Sequence, residues 1–348
     1  PKPGVYLFKG PKGDVLYVGK AKNLKNRLRS YFQKSSALDE RKSSMVGKIR
    51  DFSYVITGNE LEALVLEANL IKQYKPHFNI ILRDDKNYPY LKLTMNEEWP
   101  GLEVVRKIKK DGALYFGPYV PASGMWEALS LIRRNFLLKT CKYSLDKPMR
   151  PCLQHQMGKC TAPCAGLISK KDYMKTVEDV RLFLQGEKKE LLRGLERQME
   201  KFSGELRFED AARIRDRINN LEHIWESQKV IAPELGDIDV IEFYREDREA
   251  AFQVFFIRGG VMIGMRDFFL KETGDIPVRE LLHNFIEQFY TKEIIPPDEI
   301  ILSSRPEGMT TLKAWLKEKK GKRARLVVPS RGKKLELLKM AQENARII

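Results

Sequence analysis

The chain has 348 residues, 43% of them hydrophobic, enough for two or three domains that each bury a core. Its 63 Lys and Arg stand against 47 Asp and Glu, a net charge of +16, and such an excess draws a polyanion by steering and counterion release, so nucleic acid is the first expectation. No apolar run approaches the roughly 20 residues of a spanning helix and no signal-peptide pattern opens the chain, so no membrane is expected and the chain is read as cytoplasmic.

Residues 4–9 and 14–19 are short β-rich runs around the turn Gly10-Pro11-Lys12-Gly13, which predicts a β-hairpin with Tyr6 and Tyr17 on its two strands. A helix capped by Asn23 follows, with Leu24, Leu28 and Tyr31 or Phe32 on its apolar side. Residues 20–50 hold ten basic residues against two acidic ones. A charge run is ordinarily a solvated helix face, but the interleaved Tyr31 and Phe32 favour a DNA-facing surface, with Lys22, Lys25 and Arg29 as its contacts. A strand over 51–57 and a helix over 59–74, ended by Pro76, complete a ββαβα unit of about 90 residues.

Strand-like segments over 88–120 and a helix over 123–136 lead to four cysteines, Cys141, Cys152, Cys160 and Cys164, all within 24 residues. Four thiolates hold either tetrahedral zinc or an iron–sulfur cluster. Zinc usually takes two short cysteine pairs, and only one is present, which tilts the expectation to a cluster. Residues 170–228 read as helical, with nine basic and ten acidic residues between Glu187 and Glu226, a balance that suits a protein partner better than DNA. From Asp237 onward the succession βββαβαβα, with a hairpin at Gly259-Gly260, is that of an RNase H-like domain. Asp237 and Asp239 offer carboxylates on its first strand, but the fourth ends in Ser303-Ser304-Arg305, so this domain is expected to be catalytically empty.

Gly4-Val5-Tyr6, Tyr17-Val18-Gly19, Lys20, Arg27, Tyr31, Glu67 and Asn79 stand in the order of the GIY-YIG nucleases, and the chain resembles the UvrC family of that group. Phosphodiester hydrolysis asks for such residues independently: a carboxylate, Glu67, for Mg²⁺ or Mn²⁺; Lys20 and Arg27 for the scissile phosphate; a phenol, Tyr6 or Tyr17, near the attacking water, lowered by Lys20 or the metal; Tyr31 and Asn79 for positioning. The alternative is that strand tyrosines are packing groups and Glu67 a solvated helix residue.

The resemblance implies four domains: a GIY-YIG endonuclease at 1–90, a linking region with the cysteine segment at 91–170, a helical region with a UVR-type hairpin at 171–228, and the RNase H-like domain at 229–348. It implies a four-iron four-sulfur cluster at the cysteines, with Zn²⁺ as alternative. It also implies binding to UvrB through Phe208, Ala211, Ala212 and Arg215, UvrA as an indirect partner, and damaged double-stranded DNA cut 3′ of the lesion. An active RNase H region and helix-hairpin-helix repeats follow in such proteins and are absent from this sequence. A DNA-binding scaffold, or a repair nuclease working without UvrB, stands as the other reading.

Overall fold

A computed structural model describes residues 1–33, 40–82, 88–141, 145, 147–227, 235–274, 276–292 and 294–348. Lys34 and Asp39 of the basic stretch, and Gln228 at the expected helix end, lie outside them. The chain divides into two compact units, residues 1–85 with 239–254 and 266–348, and residues 86–238 with 255–265.

In the first unit, β1 (Gly4–Lys9) and β2 (Val15–Ala21) form the expected antiparallel hairpin, with Tyr6 opposite Gly19 and Phe8 opposite Tyr17. α1 (Leu24–Phe32) opens where the Asn23 side chain accepts the Asn26 N–H at 3.1 Å. A second helix, α2 (Glu40–Lys48), is an addition to the expected ββαβα order. Its apolar residues Met45 and Val46, with Ile49 just past its end, join the cluster of Tyr6, Phe8 and Tyr31, and they are hidden in sequence among Arg41, Lys42 and Lys48. β3 (Asp51–Ile56) pairs antiparallel with β1, giving the order β2-β1-β3. α3 (Glu60–Tyr74) is capped by Asn59, which accepts the Glu62 N–H at 2.8 Å, and it ends at Lys75 in the left-handed conformation just before Pro76. Strand alternation divides the sheet: Val5, Leu7 and Val18 meet α3, while Tyr6, Phe8 and Tyr17 meet the layer of α1 and α2, joined by Leu16 at the register shift between Phe8 and Lys9.

In the second unit, β4 (Tyr90–Leu93), β5 (Leu102–Val105) and β6 (Leu114–Phe116) make a small antiparallel sheet of order β5-β4-β6. α4 (Ala122–Asn135) and the short α5 (Leu153–Gln156) precede three long helices, α6 (Lys170–Gln185), α7 (Lys188–Gly204) and α8 (Phe208–Ser227). The stripes expected on the last two, Leu191 and Leu195 against Ile214, Ile218, Leu221 and Trp225, join a core with Phe136, Tyr173 and Val177. They are spent on this unit's own packing, and what the hairpin leaves open is its turn, where Leu206 is 74% and Phe208 63% exposed.

β7 (Ile238–Glu246), β8 (Glu249–Arg258), β9 (Val261–Leu270), α9 (Val278–Thr291), β10 (Glu299–Leu302), α10 (Met309–Lys320), β11 (Arg325–Val327) and α11 (Lys333–Ile347) follow in the expected βββαβαβα order. Their sheet runs β11-β10-β7-β8-β9 with β10 and β11 parallel. Gly259 and Gly260 turn β8 into β9 with φ of +53° and +76°, the pair of left-handed residues a two-residue hairpin turn demands. α9 packs on the sheet through an aromatic stack, Phe285 lying 4.1 Å from Phe252 at an interplanar angle of 3°.

Candidate active site

The two glycines of the hairpin have a steric reason. A Cβ at Gly4 would stand 2.2 Å from the Val55 carbonyl oxygen, and one at Gly19 would stand 2.5 Å from the Tyr6 hydroxyl. The bare backbone at Gly19 lets the Tyr6 ring lie across β2. There it meets Tyr17 at 6.1 Å and Tyr31 at 5.9 Å between centroids, and its hydroxyl shares a 2.9 Å hydrogen bond with that of Tyr31. Arg27, one turn before Tyr31 on α1, donates from Nε to the Tyr6 hydroxyl at 3.4 Å and holds its guanidinium 5.4 Å from the Tyr31 ring centre. Asn79 accepts the Val18 N–H and donates to the Val18 carbonyl, both at 2.8 Å, so it fixes the backbone of β2 between Tyr17 and Lys20 as a neighbouring strand would.

Glu67 projects from α3 toward the end of β2. One carboxylate oxygen accepts the Lys20 backbone N–H at 2.9 Å, the other the Lys20 ammonium at 2.6 Å. Lys20 also meets two groups of α9: His283 Nε2 at 2.7 Å and Glu287 at 3.6 Å. His283 Nδ1 lies 2.6 Å from the Glu307 carbonyl oxygen, which only accepts. That bond therefore fixes the proton on Nδ1 and leaves the Nε2 lone pair for Lys20. Burial works against the lysine's charge, but Glu287 and then Glu67 outweigh it, so Lys20 stays charged well above its ordinary range. Burial raises the Glu67 carboxyl, with Lys20 opposing the rise.

In the chain by itself the phenols are raised. Burial, followed by Tyr31 beside each, raises Tyr6 and Tyr17 well above the ordinary value. Arg27 lowers Tyr6 only in part. The lowering expected from Lys20 is thus not produced by the chain's own groups, because burial dominates both phenols.

Tyr17, Lys20, Arg27 and Glu67 line one cavity of about 450 Å³, and Tyr17, Tyr31, Glu67 and Asn79 line a smaller adjoining one. Glu60, Glu67, Glu280 and Glu307 are among the residues that line the larger cavity, and Glu67 is the candidate carboxylate for a hard dication. Lys22 is paired with Glu60 at 3.1 Å at the cavity rim, while Lys25 and Arg29 are exposed on α1. The sequence reading missed His283 and Glu287. Their signal is two buried ionisable residues one turn apart on the apolar face of α9, a pattern that packing alone does not favour.

Three carboxylates at the start of the RNase H-like domain are closed. Asp239 on β7 accepts from the Tyr290 hydroxyl at 2.5 Å, Glu242 from the Phe243 N–H and the Ser303 hydroxyl, and Asp237 from the Gly259 N–H. The four cysteines are free thiols. Burial raises Cys160; the Ala162 N–H lowers it, and Cys141, Cys152 and Cys164 raise it further. Among the described residues, no three His, Cys, Asp or Glu side chains converge as ligands for a metal ion. Ala211 and Ala212 are half-buried on α8, and Phe208 and Arg215 are exposed. Among the described residues no helix is long and apolar enough to cross a membrane.

Family models cover most of the chain: a UvrC-like GIY-YIG domain at 2–80, a UvrC/Cho excinuclease middle domain at 88–183, a UvrB/UvrC motif at 189–224 and a UvrC ribonuclease H-like domain at 237–348. UvrABC system protein C of Acetivibrio thermocellus is 45% identical over 99% of this chain, and that of Caldanaerobacter subterraneus is 44% identical over 99%. The chain spans 56% of the length of each. A solved GIY-YIG N-terminal endonuclease domain of UvrC from Thermotoga maritima, described as bound to its catalytic magnesium, is 45% identical over 22% of this chain and 83% of that one, with a TM-score of 0.21.

Proposed function

Because the chain belongs to the UvrC family, we propose that it is the portion of an excision-repair endonuclease that hydrolyses one phosphodiester of a damaged strand, 3′ of the lesion. The observation that carries this reading is the convergence of Tyr17, Lys20, Arg27 and Glu67, from β2, α1 and α3, on one cavity. Glu67 would hold Mg²⁺ or Mn²⁺ there, with water and substrate oxygens completing the shell. A cation so held supplies positive charge to the phosphate and lowers the pKa of a nearby water or phenol.

The chain's own groups do the rest. Arg27, held by the Tyr6 hydroxyl and the Tyr31 ring, presents a planar fork to a phosphate. Lys20 brings a permanent charge once it exchanges His283 Nε2 for a phosphate oxygen. Tyr17 is the tyrosine that faces the cavity and orients the attacking water, whereas Tyr6 is wholly buried behind it and serves Arg27. Asn79 keeps β2 in register so that Tyr17 and Lys20 stand together.

The remaining assignments belong to the same reading. The domains divide at 1–90, 91–170, 171–228 and 229–348, with the last catalytically empty and Lys22, Lys25 and Arg29 on the DNA side. Four thiols gathered within 24 residues suit a four-iron four-sulfur cluster, with Zn²⁺ as the alternative that metal analysis of anaerobically purified protein distinguishes. The exposed Phe208 and Arg215, beside Ala211 and Ala212, suit a UvrB contact, which Phe208→Ser is expected to weaken in a pull-down. UvrA enters only through UvrB, and the cytoplasm is where such a complex meets DNA. Mapping the nick that the chain makes with UvrB on a lesion-bearing duplex tests the function. A metal-dependent cut confined to the 3′ side is expected, and cutting on the 5′ side or in excess chelator contradicts the proposal.

A further inference from the structure

β3 is the uncovered strand of the N-terminal sheet. In its register with β1, Phe52 stands opposite Phe8, Tyr54 opposite Tyr6 and Ile56 opposite Gly4, so these side chains leave the sheet on the face that carries Tyr6 and Phe8. Over β1 and β2 that face is sealed by α1 and α2, and Tyr6 and Phe8 have no exposed surface. Over β3 it is open: Phe52 is 46%, Tyr54 56% and Ile56 53% exposed. Phe32, the last residue of α1 and also more than half exposed, leans edge-on against Phe8 at 6.1 Å.

An outer strand that, after Asp51 at its start, reads Phe-Ser-Tyr-Val-Ile with neither lysine nor proline is the kind of edge that proteins usually blunt, because it pairs with whatever it meets. Left open, such an edge calls for a ligand that covers it. Charge decides which ligand. α1 and α2, laid over the same face, carry Lys25, Arg27, Arg29, Arg41, Lys42 and Lys48 against one acid, Glu40. An apolar protein partner has no use for six cations beside its contact, whereas a nucleic acid strand uses rings for its bases and cations for its phosphates. The geometry points to Phe52 and Tyr54, with Phe32 beside them, as a platform on which unpaired DNA bases stack next to the candidate active site. Exposed aromatics on a sheet face take single strands because every base has a π-face. A damaged duplex supplies such bases where the lesion unstacks them. The inference rests on the nuclease reading for its place beside the cut, but not for the binding itself.

The test uses the whole chain with Phe52→Leu and Tyr54→Leu together, which keeps apolar bulk at exposed positions and removes the rings. Binding is measured to a fluorescent oligothymidylate and to a fully paired duplex across a range of salt, with thermal melting to confirm the fold. Affinity for the single strand is expected to fall about tenfold, the loss typical of removing base stacking, with the log–log salt slope and the duplex affinity unchanged. A variant that binds the single strand as wild type overturns the proposal. So does a loss accompanied by a flatter salt slope, which would mean that the basic helices were disturbed. Unchanged DNA binding together with altered self-association would assign the face to a second copy and also overturn it. Nicking by Glu67→Gln judges the nuclease reading separately, because that substitution leaves this platform intact.

Discussion

The two sheets of the first unit both carry buried carboxylates, and they treat them in opposite ways. Glu67, beside the three-stranded sheet, opens onto a cavity and shares a lysine with Glu287. Asp239 and Glu242, on the first strand of the five-stranded sheet, are closed by hydroxyl and backbone donors within their own fold. The contrast teaches that an acid's usefulness is set by what already fills its lone pairs. Among the acids compared, those of the RNase H-like sheet are taken up by donors of their own fold, while Glu67 is the one that keeps a face for a cation.

Three substitutions break or sharpen that contrast. The largest effect is expected at Lys20. Replacing it with Met leaves Glu67 and Glu287, both buried, without their shared counter-charge, and breaking such a buried pair costs about 3 kcal/mol. Urea denaturation reads this directly, and a wild-type midpoint would show that the cluster is not a structural tie. Tyr290→Phe comes next: it removes the hydroxyl donated to Asp239 and should cost about 1–2 kcal/mol while leaving nicking untouched. Loss of nicking with the fold intact would mean that Asp239 has a catalytic part.

The smallest effect concerns Glu242 and has a sign fixed by linkage. Burial raises its carboxyl, against the Phe243 N–H and Ser303 hydroxyl that lower it, so the folded chain binds that proton more tightly than the unfolded chain. Stability therefore falls as pH rises from the ordinary carboxylate value through the raised one. Glu242→Gln keeps the oxygen that both donors use, removes the charge, and should raise stability at pH 7 by about 1 kcal/mol while flattening that acid-side slope. Melting curves from pH 4 to 7 check it. A destabilised variant with an unchanged slope would show that the carboxylate charge is needed.

Much of this was legible in the sequence, for local reasons. The succession of elements from Ile238 onward follows from alternation, the Gly259-Gly260 turn and helical spacing, all short-range signals. The hairpin and the residues Tyr6, Tyr17, Lys20, Arg27, Tyr31, Glu67 and Asn79 could be named because motif order preserves them, and the fold brings them together. α2 was not legible, since its two apolar residues, Met45 and Val46, sit inside a run whose charge dominates any reading of it. Nor was the hold of α9 on Lys20, which joins residues 263 apart and depends on tertiary packing alone. The upward shift of Tyr6 and Tyr17 was not legible either, since its first cause is burial and therefore tertiary packing, followed by Tyr31 beside each.

The central claim, that Glu67 serves chemistry and the basic helix serves binding, is tested most directly by one comparison: nicking and DNA binding measured on Glu67→Gln beside wild type in Mg²⁺. The amide keeps the shape and loses the charge that holds a hard cation, so nicking should disappear while affinity and its salt slope stay at the wild-type value. Wild-type nicking by Glu67→Gln would place the metal elsewhere and contradict the account.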